Sequence, residues 1–400
     1  MLKNIPALTD CLARNPSMLR VSPKINLALL KYMGKFRVRR VGGRTVLHSH
    51  LPPLNSPAYG RFVRDHLLGK SPGPSHAQIG LTDACPQKCG YCYNKGRQGT
   101  VMDSATIRRT ISDLKAMGVF WLGFTGGEPL LNRDIVEITA EASTDCAVKL
   151  FTTGSGLTPA LATRLKDAGL FSVSVSLDHW TAEVHDAARG TAGAFQTALR
   201  AIEIFRAAGI HTSVSAVLSA EMIRRGQVEP YLEFLQGLGL DEAWLSELKP
   251  SIQLPDNPSG LITQDERQSL IRLQDRWNRA GGMTVNYLGH FEGPDNFGCN
   301  AGRKMIYVDA FGEVSPCVFV PMTFGNVRQK PLAKIWSEMR NDFAPGSDCF
   351  LIRNQDLLRS RANGPIPIPP EVSRDLMRDV HFSAPGRFVG LIEGSGGRAT

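Results

Sequence analysis

Nowhere in these 400 residues does an apolar run approach the roughly 18 residues that a membrane-crossing helix needs. Met1–Leu19 lacks the apolar core of a secretory signal. A soluble, cytoplasmic protein without a transmembrane segment is therefore expected. Cysteine is scarce: eight residues, unevenly spread, which in a reducing compartment argues against a disulfide-stapled scaffold. Acidic residues are absent altogether between Cys11 and Arg64, a stretch that carries eleven Lys and Arg. The whole chain has a net charge of +9, so everything outside this block is slightly acidic. A block of this kind either solubilises the surface or attracts an anion, such as a membrane surface, an acidic peptide or a nucleic acid. The apolar segment Ile25–Met33 beside it adds peripheral membrane contact to the readings, and no nucleic-acid partner is expected.

Internal repeats and long low-complexity segments are also missing. Four segments follow instead. Residues 1–74 form a basic extension, with a helix over Ile25–Met33, a hairpin of Phe36–Val41 and Arg44–His48 around Gly42-Gly43, and a helix over Ser56–Leu68. Residues 75–285 alternate strands and helices. Strands are predicted at Ala77–Leu81, Val119–Phe124, Val148–Thr152, Phe171–Leu177, His211–Leu218 and Glu242–Glu247. Amphipathic helices fit between them, and another fits Thr263–Ala280. Six such units give the fold class: α/β, a partial (β/α)6 TIM-like barrel. Residues 286–355 read as a hairpin of Lys304–Asp309 and Glu313–Phe319 about Gly312, then a helix near Leu332–Arg340. Residues 356–400 form a tail containing Gly364-Pro-Ile-Pro-Ile-Pro-Pro370 and Gly394–Thr400, expected to be extended or disordered.

The cysteines carry the chemistry. Cys85-Pro-Gln-Lys-Cys89-Gly-Tyr-Cys92 is a C-x3-C-x2-C loop just after the first barrel strand. Three thiolates from one short loop can hold three irons of a cubane and leave the fourth open. A structural zinc would need a fourth ligand, and neither Cys nor His stands nearby. Gly126-Gly127-Glu128-Pro129 follows the second strand, and glycine there permits close backbone approach to a ligand. Ser176-Leu-Asp178 ends the fourth strand, with His185-Asp186 and Arg189-Gly190 after it. Cys299, Cys317 and Cys349 form a late group, whereas Cys11 and Cys146 stand alone as structural thiols. Each barrel motif ends its own strand, and in parallel barrels those ends converge on one face.

These motifs closely resemble the radical S-adenosylmethionine (SAM) superfamily. The resemblance covers residues 75–355. It implies that Cys85, Cys89 and Cys92 hold a SAM-binding [4Fe–4S] cluster and that Tyr91 packs on the adenine. It implies that Gly126, Gly127, Glu128 and Pro129 receive the methionyl amine, with Glu128 facing the ammonium. Ser176 and Arg189 would hold the SAM carboxylate. Thr152-Thr153-Gly154 stands where related enzymes often carry T-N-G, with Thr153 in place of Asn. Val217 and Leu218 could flank the adenine or simply pack, and Lys249 could face substrate or solvent. Residues 299–349 are similar to the SPASM or twitch extension, in its shorter twitch form. There Cys299, Cys317 and Cys349 would hold an auxiliary [4Fe–4S] cluster, with substrate, water, His290 or Asp348 as fourth ligand.

By that resemblance, flavodoxin or ferredoxin supplies an electron, SAM is cleaved to methionine and a 5′-deoxyadenosyl radical, and the radical takes hydrogen from substrate. A peptide or protein substrate, oxidatively modified, is the leading expectation. A lipid or other anionic small molecule is the second. The remaining alternative is a non-catalytic iron–sulfur electron carrier or sensor, which would have no need of an amine-binding GGE segment.

Overall fold

The structure, a computed structural model, describes residues 5–69, 71–250, 260–343, 346–361, 365–384 and 386–393. Gly364 and the Gly394–Thr400 stretch of the predicted tail lie outside them. The six predicted barrel strands form as β3 His76–Gly80, β4 Trp121–Thr125, β5 Ala147–Thr152, β6 Ser172–Ser176, β7 His211–Leu218 and β8 Glu242–Glu247. They pair in parallel in that order. A hairpin in the extension supplies β1 Arg39–Val41 and β2 Arg44–Val46.

The sheet extends beyond the predicted six. β9, Thr284–Tyr287, adds in parallel to β8. β10, Met305–Val308, adds in parallel to β3, and β11, Val314–Ser315, pairs antiparallel with β10. The result is one nine-stranded sheet. The late hairpin is thus continuous with the barrel. Helices absent from the sequence reading cover Ile135–Ser143 and Ala182–Arg189.

Strand alternation sorts the side chains. On β6, Val173 and Val175 are wholly buried in the main apolar core with the surrounding helices. Ser172, Ser174 and Ser176 take the alternate positions facing the barrel interior. Ser213 and Ser215 do the same on β7, where Ser213 meets Ser174 at 2.6 Å. Barrel interiors are ordinarily filled by branched apolar residues; serines here leave room.

The basic extension closes the amino end of the barrel. Barrel helices run opposite to the strands, so their carboxyl ends, with unpaired carbonyls and negative dipole, gather where the strands begin. Arg44 donates to the carbonyls of Leu170 and Gly169, past the helix Pro159–Asp167. Arg61 donates to Lys115 in the last turn of Ser104–Ala116. Arg37 and Arg39 donate to Gly281 and Gly282, past Gln264–Ala280. Four cations of the acid-free block are therefore engaged within the chain. Its helix, Pro23–Met33, buries Ile25, Leu29 and Met33 in an apolar cluster with Phe120, Trp121 and Phe388. The apolar stripe expected at a membrane surface faces protein.

At the centre of this contact Ser49 enters the barrel. Its N–H donates to both carboxylate oxygens of Glu242, at 3.2 and 3.1 Å. Its carbonyl accepts from Trp121 Nε1 at 2.8 Å. Its hydroxyl accepts from Lys149 Nζ at 2.6 Å and Trp244 Nε1 at 3.0 Å.

The tail is more ordered than expected. Ile366 bridges to Arg97 and Ile368 to Met322. Helices follow at Pro370–Leu376 and Arg387–Glu393. Ile368, Leu376 and Phe388 are buried, and that burial offsets the entropy of ordering the segment. Among the described residues, no helix is long and apolar enough to cross a membrane.

Candidate functional site

The loop after β3 carries Cys85, Cys89 and Cys92 and is clamped on two sides. Gly127 N–H donates to Thr82 O at 2.6 Å and Glu128 N–H to Ala84 O at 2.7 Å. A Cβ on Gly126 would stand 2.3 Å from Thr82 O, and one on Gly127 2.2 Å from Ala84 O. The glycine pair is thus required by the chain's own packing, because it seats the cysteine loop. From the other side, Lys88 N–H donates to Arg189 O at 3.0 Å, and Gly190, at φ +60°, lies against Lys88.

Glu128 is engaged from within the chain. Its side chain is fully buried and its oxygens are occupied from within. Oε1 accepts from Leu130 N–H at 3.0 Å and Thr152 Oγ1 at 2.6 Å. Oε2 accepts from Thr153 N–H at 2.6 Å and Thr153 Oγ1 at 2.5 Å. Burial pushes its pKa up, and these bonds pull it down. Gly126 and Gly127 line the cavity described below; Glu128 and Pro129 do not. Thr152 and Thr153, the latter in place of the family's Asn, tie Glu128 to the end of β5.

Asp178 is the hub of the next motif, a role not evident from the sequence. It accepts from Tyr91 OH, from Arg189 Nε at 2.8 Å and from Val217 N–H at 2.8 Å. Arg189 also lies 5.6 Å from the centre of the Tyr91 ring. Residues far apart in sequence, on the cysteine loop, β6, β7 and the helix Ala182–Arg189, thus meet at one carboxylate. Tyr91, Ser176, Arg189 and Val217 all line the cavity, whereas Leu218 is buried in the core.

The late cysteines reach the same cavity. Its volume is about 470 Å³, and Cys85, Cys89, Cys92, Cys299, Cys317 and Cys349 all line it. The aromatic rings of Phe151, Trp244, Phe291 and Phe319 form much of the remaining wall, with Ser176, Ser215 and Ser246 among the polar positions. Tyr93, beside Cys92, is edge-on to Phe319, centroids 5.8 Å apart, and links the early and late segments. Cys11 and Cys146 are buried elsewhere, Cys146 bonded to Val119 O.

Lys249 is shielded from solvent and is not among the residues lining the cavity. It is buried and donates to Glu292 at 2.6 Å, with Glu247 at 3.9 Å. The anions around it, led by the neighbouring Cys349, push its pKa up against the effect of burial. Neither suggested fourth ligand lies at the cavity. His290 Nδ1 is taken by Gln274 Nε2 at 2.6 Å, and Asp348 pairs with Arg353.

The donor set suits iron–sulfur clusters. Thiols are the side chains such clusters take, and two groups of three line one cavity. Burial pushes the Cys85 thiol up to about 11 and Cys317 up to about 12, so cluster assembly must displace protons. Among the described residues, no three His, Cys, Asp or Glu side chains are grouped to hold a single metal ion.

Residues 79–222 match the model of the radical SAM superfamily, and residues 299–356 match the SPASM iron–sulfur cluster-binding domain. The mycofactocin maturase MftC of Mycobacterium ulcerans is 30% identical, over 60% of this chain and 67% of that one. The chain belongs to the radical SAM superfamily. It is a radical SAM enzyme, with SAM and a [4Fe–4S] cluster as cofactors and a domain of the kind that binds auxiliary iron–sulfur clusters. The AdoMet-dependent heme synthase of Methanosarcina barkeri is 28% identical, over 64% of this chain and 80% of that one. The structure of Streptococcus suis SuiB bound to its precursor peptide SuiA has the same fold, with a TM-score of 0.56 at 16% identity, covering 74% of this chain and 77% of that one.

Proposed function

We propose that this radical SAM enzyme oxidatively modifies a peptide whose reacting side chain enters the barrel cavity. The observation that carries the reading is that both cysteine groups line one cavity together with the SAM-motif residues Gly126, Ser176 and Arg189. Residues 75–285 would carry the SAM site and residues 286–355 the auxiliary one. Cys85, Cys89 and Cys92 would hold the first cluster, which with SAM supplies a 5′-deoxyadenosyl radical that takes hydrogen from substrate.

The chain's own residues then position the reactants. Asp178 holds Arg189 by Nε, which leaves the terminal nitrogens of the guanidinium for the SAM carboxylate, beside Ser176. The Tyr91 ring, fixed through its hydroxyl, would lie on the adenine. Carbonyls of the Gly126-Gly127 turn would receive the ammonium. Aromatic walls exclude water from the reacting carbon, and the closed amino end confines it. Cys299, Cys317 and Cys349 would hold an auxiliary cluster able to accept the electron left on the product.

A peptide substrate is supported by the fold shared with SuiB, whose structure holds a precursor peptide. A small-molecule substrate is the second reading, favoured by the similarity to a heme synthase and by the apolar cavity wall. A low-potential donor such as flavodoxin or ferredoxin would supply the electron.

The test is anaerobic turnover of the reconstituted, reduced protein with SAM and short peptides encoded beside its gene. Formation of 5′-deoxyadenosine, with loss of hydrogen from a peptide by mass spectrometry, supports the reading. SAM cleavage with no peptide changed, but with a small metabolite consumed, would transfer it to the second.

A further inference from the structure

Three late cysteines leave a cubane one ligand short, and among the described residues one carboxylate lines the cavity with them. Glu292 lies just past β9, at the end of the short helix Leu288–Phe291, and lines the cavity with Cys299, Cys317 and Cys349. It lies outside the segment that matches the cluster-binding domain, residues 299–356. Its two oxygens differ. Oε2 accepts a 2.6 Å hydrogen bond from Lys249, whereas Oε1 has no hydrogen-bond partner among the described residues. Once the thiols lose their protons, four anionic groups facing one cavity would be poorly matched to one another with Lys249 alone beside them, and the irons of a cluster would supply the missing positive charge.

We infer that Glu292 is the fourth protein ligand of the auxiliary cluster, binding one iron through Oε1 while Lys249 holds Oε2. The inference rests on the auxiliary-cluster reading above. A ligating carboxylate is normally held in turn by a hydrogen bond that fixes its orientation. Lys249 serves that purpose: it is buried, anchored between Glu247 and Glu292, and carries charge of the sign that a cluster with four anionic ligands requires. The arrangement assigns the auxiliary cluster full protein ligation, so that its part in the reaction is to accept an electron and not to bind substrate at an open iron.

The experiment uses the full-length chain with Cys85, Cys89 and Cys92 replaced by Ala, so that iron and spectra report the auxiliary site alone. Reconstituted anaerobically, this parent should hold about four irons. Glu292→Ala should lose the weakly held iron on mild oxidation, leaving about three and the electron paramagnetic resonance signal of a three-iron cluster. Glu292→Cys should retain all four and titrate at a lower potential, because thiolate donates more charge than carboxylate. Glu292→Gln, which keeps the Lys249 contact, covers the case in which Glu292→Ala does not fold; it too should lose an iron. Mössbauer and resonance spectra identical across parent, Ala and Gln variants would overturn the ligand assignment and leave the cluster itself standing. No iron in the parent would overturn both.

Discussion

Lys149, wholly buried on β5, donates its ammonium hydrogen to the hydroxyl of Ser49, a residue one hundred positions earlier, at 2.6 Å. The ammonium also faces the rings of Phe151 and Trp244, at 5.1 and 5.2 Å. Burial lowers its pKa to about 7, opposed by the charge of Glu242. The contact joins the basic extension to the inner wall of the barrel.

A pH dependence of stability follows. In the unfolded chain Lys149 keeps its proton up to the ordinary lysine range, near 10.5. Between about pH 7 and that value the unfolded state binds more protons than the folded one, so stability rises with pH, by up to roughly 1.4 kcal/mol per unit. Below pH 7 both states are protonated and the burial penalty is present in full. Lys149→Met should therefore flatten the rise in the denaturation midpoint of the metal-free protein between pH 7 and 8.5. The difference between the two proteins isolates this group from every other titrating side chain. A parallel rise in both would exclude Lys149 as its source.

Glu128→Ala should act first on the fold. It frees four hydrogen-bond donors, two of them hydroxyls of Thr152 and Thr153, and unties the ends of β4 and β5. Loss of bonds to a buried carboxylate should cost about 3 kcal/mol or more, measured by urea denaturation. SAM affinity weakened at unchanged stability would instead return Glu128 to the methionyl ammonium.

The early cysteines divide sharply from the solitary ones. Cys85→Ala, Cys89→Ala and Cys92→Ala should each abolish formation of 5′-deoxyadenosine in the reduced protein, because each removes one of three thiolates. Cys11→Ala and Cys146→Ala should leave it within about two-fold, at a stability cost on the order of 1 kcal/mol for a small buried side chain. Retained cleavage in the Cys89→Ala protein is the result that would count against the cluster site.

Ser215→Phe should fill the space that serine leaves on β7. Substrate modification should fall at least ten-fold while iron content is held, read by mass spectrometry and iron analysis. Modification at the wild-type rate would place the reacting side chain elsewhere.

The barrel was legible because its signal is local. Valine alternation, helix periodicity and turn glycines put β7 and β8 within the limits predicted, and the cysteine spacing pointed to the cluster. What stayed hidden is set by tertiary contact. Nothing in the sequence marks the bonds that Thr152 and Thr153 make to Glu128. The cations before Arg64 look free because helix carbonyls carry no mark in sequence. Glu292 has no motif around it; its place beside Cys299 depends on the turn after β9. β9 was missed because a four-residue strand offers too little pattern to distinguish it.

The docking of the extension sets an order of events at the ribosome. The hydrogen bond from Arg39 to Gly282 joins residues 243 apart in the chain. At roughly 5–20 residues per second, the second partner is synthesised some ten to fifty seconds after the first. Through that interval Arg37, Arg39 and the apolar face of Pro23–Met33 lack part of their binding surface. The extension is therefore made before the barrel yet is among the last parts to settle, and the barrel closes at its amino end only when the helix Gln264–Ala280 has emerged.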